Sequence, residues 1–276
     1  MRRGSDQRSA SSDQRSRRCR VTSHESPSVK LFVIELGVMA YGEALSLQRA
    51  VASSRIAGQV ADDVLLLVEH PPVVTLGRGT KPGHLVASAA QLQARGVELF
   101  DVERGGDVTF HGPGQLVGYP VIDLKEHRQD LHWYLRRVEE AIIQALATCG
   151  LPCVRNPGFT GVWTQGVAAE GESRLRKVAS IGVHARDWVT WHGFALNVTT
   201  DLSHFDLIVP CGISDVTMTT VERELSDSFP GSDAVARAVT EAFGRVFDRP
   251  IEHRPRSWLE QALSAPAPSA DLGRTG

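Results

Sequence analysis

Apolar residues gather into short runs and helical stripes from about residue 30 onward, and are nearly absent before it. Leu31 to Leu36 and the unbroken Val64-Leu65-Leu66-Leu67-Val68 predict strands, the second buried on both faces. Pro71 and Pro72 stop that ladder, Val73 to Leu76 resumes it, and Val97 to Val102 adds a further strand. A helix is expected over about 41–58. Ser88 and Gln91 form a capping box opening a short helix that Gly96 closes. Asp130 caps a longer helix with Leu131, Leu135, Val138, Ile142 and Leu146 on one face and Gly150 as its stop. Leu116 to Leu124, Phe159 to Trp163, Val178 to Ala185 and Val189 to Val198 read as strands, the last two antiparallel about a turn at Arg186-Asp187. Gln165 to Arg174, polar and broken by glycine, reads as a surface loop, and Asp233 to Phe247 as a closing helix. The pattern predicts one mixed α/β domain over residues 29–255, an α+β mixed sheet flanked by helices. A disordered Arg/Ser-rich extension over 1–28 precedes it and a flexible Ala/Pro-rich tail over 256–276 follows.

Charge changes this picture little. The 276 residues are 42% hydrophobic with a formal charge of −2, enough apolar content for a sizeable core and no balance that favours nucleic acid. Seven Arg against Asp6, Asp13 and Glu25 make residues 1–28 basic and the remainder mildly acidic. No apolar run approaches the roughly 18 residues of a transmembrane helix, and the N-terminus has no apolar signal core, so a cytoplasmic enzyme is the expectation. Cys19, Cys149, Cys153 and Cys211 are too few and scattered for a disulfide framework.

The densest chemistry is Arg104 to Pro120, which holds five of the 25 glycines. Such a run is poor helix and poor strand interior, and serves to let backbone approach something closely. Neither nucleotide-binding glycine pattern fits, because Pro113 and the strand after it break their context. Cys211 follows Pro210 and precedes Gly212, a tight bend that presents a side chain at an element's edge, although a cysteine beside Ile208 and Val209 is also an ordinary small core residue. As a nucleophile it needs a cation: lowering a thiol's ordinary pKa of about 8.5 by about 1.5 units takes about 2 kcal/mol, within reach of one desolvated ammonium. Lys177 is the candidate, since only Lys30, Lys81, Lys125 and Lys177 are lysines among 30 basic residues and Arg does not match a compact ammonium that can release its proton. His184 and His192 lack companions at metal-ligand spacing. Asp123, Glu139 and Glu140 read as solvated or capping charges.

With these segments in hand, Arg104-Gly-Gly-x-x-Thr-Phe-His-Gly-Pro-Gly-Gln115, Lys177-x-x-Ser-Ile-Gly182, Gly193-Phe-Ala-Leu-Asn197 and Pro210-Cys-Gly212, the chain resembles the octanoyltransferases of lipoate biosynthesis from about residue 30 to 250. The resemblance implies the single-domain fold of the biotin and lipoate protein ligases. It implies transfer of an octanoyl group from octanoyl-acyl carrier protein, through a cysteine thioester, to the target lysine of apo-lipoyl domains. Acceptors would be the 2-oxoacid dehydrogenase E2 subunits and the glycine cleavage H protein, with no cofactor, metal, nucleic acid or membrane. Family positions fall on Cys211 and Lys177 for catalysis. For substrate they fall on Arg104, Gly105, Gly106, Asp107, Val108, Thr109, Phe110, His111, on Ser180, Ile181, Gly182, and on Gly193, Phe194, Ala195. An ATP-dependent ligase on the same fold, or a non-catalytic protein binding carrier or lipoyl domains, are the alternatives.

Overall fold

The apolar run at 64–68 becomes β2 (Asp63–Glu69), and its alternation sorts the core. Leu65 and Leu67 face one apolar cluster, while Val64, Leu66 and Val68 face another. This computed structural model describes residues 29–167, 173–210 and 216–265. The 1–28 extension, the end of the tail beyond 265 and Cys211 lie outside the described residues.

β2 pairs in parallel with β1 (Leu31–Val38) and antiparallel with β6 (Gln115–Val121). β6 continues to β10 (Val189–Asn197), β9 (Ser173–Arg186), β8 (Phe159–Val167) and β7 (Cys153–Asn156), and β12 (Ile251–His253) edges β1. One face is covered by α3 (Leu131–Thr148) and α5 (Ser232–Phe247), whose Val138, Ile142, Leu146, Val239 and Phe243 are wholly buried. The other face carries α1 (Tyr41–Ile56). Asp130 caps α3 by accepting from the His132 and Trp133 N–H groups, and Ser88 and Gln91 make the capping box of α2 (Ala89–Ala94). A second sheet holds β3 (Val73–Leu76) between β4 (Glu98–Asp101) and β5 (Thr109–His111). Among the described residues no helix is long and apolar enough to cross a membrane.

Four expectations are corrected. The tail does not begin at 256: Arg256–Ser264 is a helix, α6, with Leu259 fully buried and Trp258 edge-on to Phe32 at 4.6 Å, because Trp258, Leu259, Ala262 and Leu263 share one apolar face. The stretch 165–174 is not all loop, since β8 and β9 keep pairing out to Val167 and Ser173; 168–172 lie outside the described residues. The β9–β10 turn is centred on Asp187 and Trp188, both with left-handed φ (51° and 65°) as a two-residue primed hairpin turn demands. Leu131 is 38% exposed, too close to the capped end of α3 to reach the core.

Candidate active site

Between the two sheets lies a cavity of about 220 Å³. Strand parity explains which residues reach it. Along β5, Thr109 and His111 line the cavity, while Phe110 points the other way, stacking on His204 at 4.7 Å within a separate apolar cluster. Phe110 is therefore not a cavity residue, against expectation. Gly105 does not line it either; its N–H donates to the Val183 carbonyl at 2.8 Å. Arg104, Gly106, Asp107 and Val108 complete the wall from this segment.

The glycines serve backbone crossing as much as ligand approach. A Cβ on Gly182 would sit 2.8 Å from the Gly105 oxygen, and one on Gly77 2.5 Å from the Gly106 oxygen. Arg104 is buried, and its guanidinium donates to the Thr75 oxygens and to the Asp107 and Gly105 carbonyls, so it ties the loop together from within. Asp107 in turn accepts from the Val108 N–H and contacts His84 Nδ1 at 2.5 Å.

β9 and β10 form the opposite wall through Ser180, Ile181, Gly182, Gly193, Phe194 and Ala195. Lys177 joins them because of a β-bulge. Val162 pairs with Ala179 but Trp163 with Lys177, so Val178 is one residue extra and Lys177 is swung onto the face of Ser180 and Gly182. Its side chain is buried at 2% exposure. The ammonium lies 5.3 Å from the Trp163 ring centroid, and a Cβ on Gly161 would fall 2.8 Å from Lys177 Cε. Cys149 and Cys153 are unsuited to nucleophilic work: burial raises both thiols, Cys153 to about 12 with help from Glu224. The segment leading to Pro210 is anchored, with Val209 N–H donating to the His84 carbonyl at 2.7 Å and Leu85 bridging Ile208.

A polar chain connects the motifs. Gln115 Nε2 donates to Asn197 Oδ1, Asn197 Nδ2 to the Thr219 carbonyl, and Thr219 N–H to the Lys177 carbonyl. The Gln115 Oε1 left over accepts from His111 Nδ1 at 2.8 Å, which fixes that tautomer. Burial above all, then His70 and Arg104, lowers His111 to about 3, so it is neutral. His70 donates from Nδ1 to the Met39 carbonyl and accepts at Nε2 from the Tyr119 hydroxyl.

Tyr41, Val117, Tyr119, Gly158, Phe159, Thr160 and His192 also line the cavity and were not expected there. Tyr41 and Tyr119 look like plain core aromatics in sequence. Phe159 offered a signal, an aromatic residue in a Gly158 turn, and is 40% exposed. Glu139, expected to be a solvated or capping charge, is wholly buried and accepts from the Gly161 N–H, Arg136 and Arg155.

The model of the lipoyl protein ligase A/B catalytic domain family matches residues 40–244. An octanoyltransferase of Myxococcus xanthus is 49% identical over 216 residues, 78% of this chain and 59% of that relative. One of Acidobacterium capsulatum is 46% identical over 239 residues, 83% of this chain and 93% of the relative. Among solved structures, the bi-partite lipoate protein ligase of Thermoplasma acidophilum superposes with a TM-score of 0.65 at 18% identity, over 86% of this chain and 90% of that one. A lipoate-protein ligase A bound with ATP gives 0.63 at 18% identity, over 86% and 92%. These two share the fold.

Proposed function

We propose that this chain, which belongs to the lipoyl protein ligase A/B catalytic-domain family and within it to the octanoyltransferases, moves an octanoyl group from a carrier thioester to a lysine of an apo-lipoyl domain. The observation that carries the reading is the Lys177 ammonium, buried in the wall of a cavity formed by the motifs shared with that family. The donor is octanoyl-acyl carrier protein, and the acceptors are lipoyl domains of 2-oxoacid dehydrogenase E2 subunits and the glycine cleavage H protein.

In the proposed reaction the Cys211 thiolate, its proton lost to solvent and its charge held by the Lys177 ammonium, attacks the thioester carbonyl. The carbon–sulfur bond to the carrier breaks, and the carrier thiolate leaves as a thiol with a proton from Lys177. The acceptor lysine, as neutral amine, then attacks the acyl-cysteine; a carbon–nitrogen bond forms, the cysteine thiolate departs, and the amine proton passes to Lys177, restoring its ammonium. Lys177 holds the thiolate and moves these protons. A cavity of about 220 Å³ suits a short acyl chain and is smaller than the roughly 300–1,000 Å³ of drug-sized sites.

Intact-mass analysis with octanoyl-acyl carrier protein tests the reading. An octanoyl adduct is expected on the wild-type chain and none on Cys211→Ser; an adduct on the Ser variant, or none on wild type, overturns the mechanism. Lys177→Arg, which keeps charge but not a transferable proton, is expected to lower transfer at least tenfold. Product from free octanoate and ATP would instead indicate a ligase.

A further inference from the structure

His192 is held in a conformation its residue type disfavours. Its φ is +56°, a region where glycine is at ease and a residue with a side chain is strained. Pairing to Val183 on one side and donation of its N–H to Gln48 Oε1 on the other keep it there. The imidazole is 2% exposed, lines the cavity, and is backed by Glu103, whose Oε1 lies 3.7 Å from Nε2. Glu103 is itself fixed by Arg49 and by the Trp191 indole N–H. This wall does not yield.

Its position has a length scale. A Cβ on Gly161 would lie 3.4 Å from Lys177 Nζ, and Gly161 stands one residue beyond the Val162–Ala179 pair, level with Ser180. Ser180 pairs with Ala195 and Val183 with His192. Three residues at about 3.3 Å each therefore separate the ammonium's level from the imidazole's, roughly 10 Å. An extended octanoyl chain has seven carbon–carbon bonds of about 1.5 Å, each advancing about 1.25 Å along the zigzag, so it spans about 9 Å, and a decanoyl chain about 11 Å.

We infer that His192 is a specificity-determining residue, the rigid inner wall that limits the acyl group to about eight carbons. The inference rests on the acyl-transfer reading above. A chain two carbons longer, seated with its thioester carbonyl beside Lys177, meets the imidazole; a glycine at 192 suits the backbone and vacates the space the imidazole fills.

The test loads the full chain with octanoyl and decanoyl thioesters of one carrier in competition and reads the two adducts by intact mass. Wild type is expected to favour octanoyl by at least tenfold. His192→Gly is expected to move the ratio toward decanoyl by roughly tenfold, the value of burying two methylenes. His192→Asn, shorter and tolerant of this φ, should move it partway, and guards against misfolding of the Gly variant. Leu99→Ala, on an exposed strand position outside the cavity, should leave the ratio within twofold. Equal loading of both chains by wild type, or an unchanged ratio in the Gly and Asn variants, overturns the inference. No adduct with either chain on wild type overturns the transfer reading instead.

Discussion

Burial sets the electrostatics of the individual residues around the cavity. His111 and His192 are both lowered to about 3, in each case first by burial, so each enters the fold neutral. Below the ordinary imidazole value near 6.5 an unfolded chain takes up protons that the folded chain refuses. This stability is complete above pH 6.5 and is lost as pH falls. Between pH 7 and 5 we expect about 2 kcal/mol of destabilisation per imidazole, read as urea midpoints at the two pH values. A His111→Gln variant should lose less over the same interval. Carboxylates such as Asp63, whose pKa is lowered although its burial acts in the other direction, act only at more acid pH and do not mask the effect. At this scale sequence could nominate Lys177, Cys211 and the glycine segment from residue type and neighbours. It could not tell that Glu139 is buried, because a Glu-Glu pair on a helix looks the same whether or not a glycine N–H and two arginines close over one of them.

Among the elements, α3 carries more than core packing. Glu139 accepts from the Gly161 N–H at 3.1 Å and so fixes the start of β8 beneath Lys177. Glu139→Ala leaves that N–H without its acceptor, a loss of about 1–3 kcal/mol, and is expected to lower both the urea midpoint and the rate of acyl loading. Loading that stayed at the wild-type rate would show that the β8 turn keeps its position without the carboxylate. α6 belongs to the folded unit in the same sense. Leu259→Ala should cost about 2–4 kcal/mol by denaturant titration, whereas a disordered tail would register no change. The helices α3 and α5 follow from periodicity because their apolar stripes are intrinsic to the chain. Short elements such as β5 and β7 have too few residues to show a period, and exist through what they pack against.

At the scale of the molecule, the cavity lies between two sheets and is walled by residues drawn from Tyr41 through to Ala195. Gly106 has φ +85° and lines it, so Gly106→Val introduces both backbone strain and a side chain where the acyl group would lie. Its acyl loading should fall at least tenfold while the Cys211 thiol remains titratable; equal loading would place the acyl group elsewhere. By itself the sequence determined the α/β class, most strand and helix positions, and the residues on which chemistry converges, since periodicity, caps and ordered motifs are properties of neighbours along the chain. Only the tertiary structure decided that Phe110 turns away while His111 turns in, that the Val178 bulge delivers Lys177 to the cavity, and that Tyr41, Tyr119 and His192 close it. Those outcomes depend on register and parity between paired strands, which no single strand encodes.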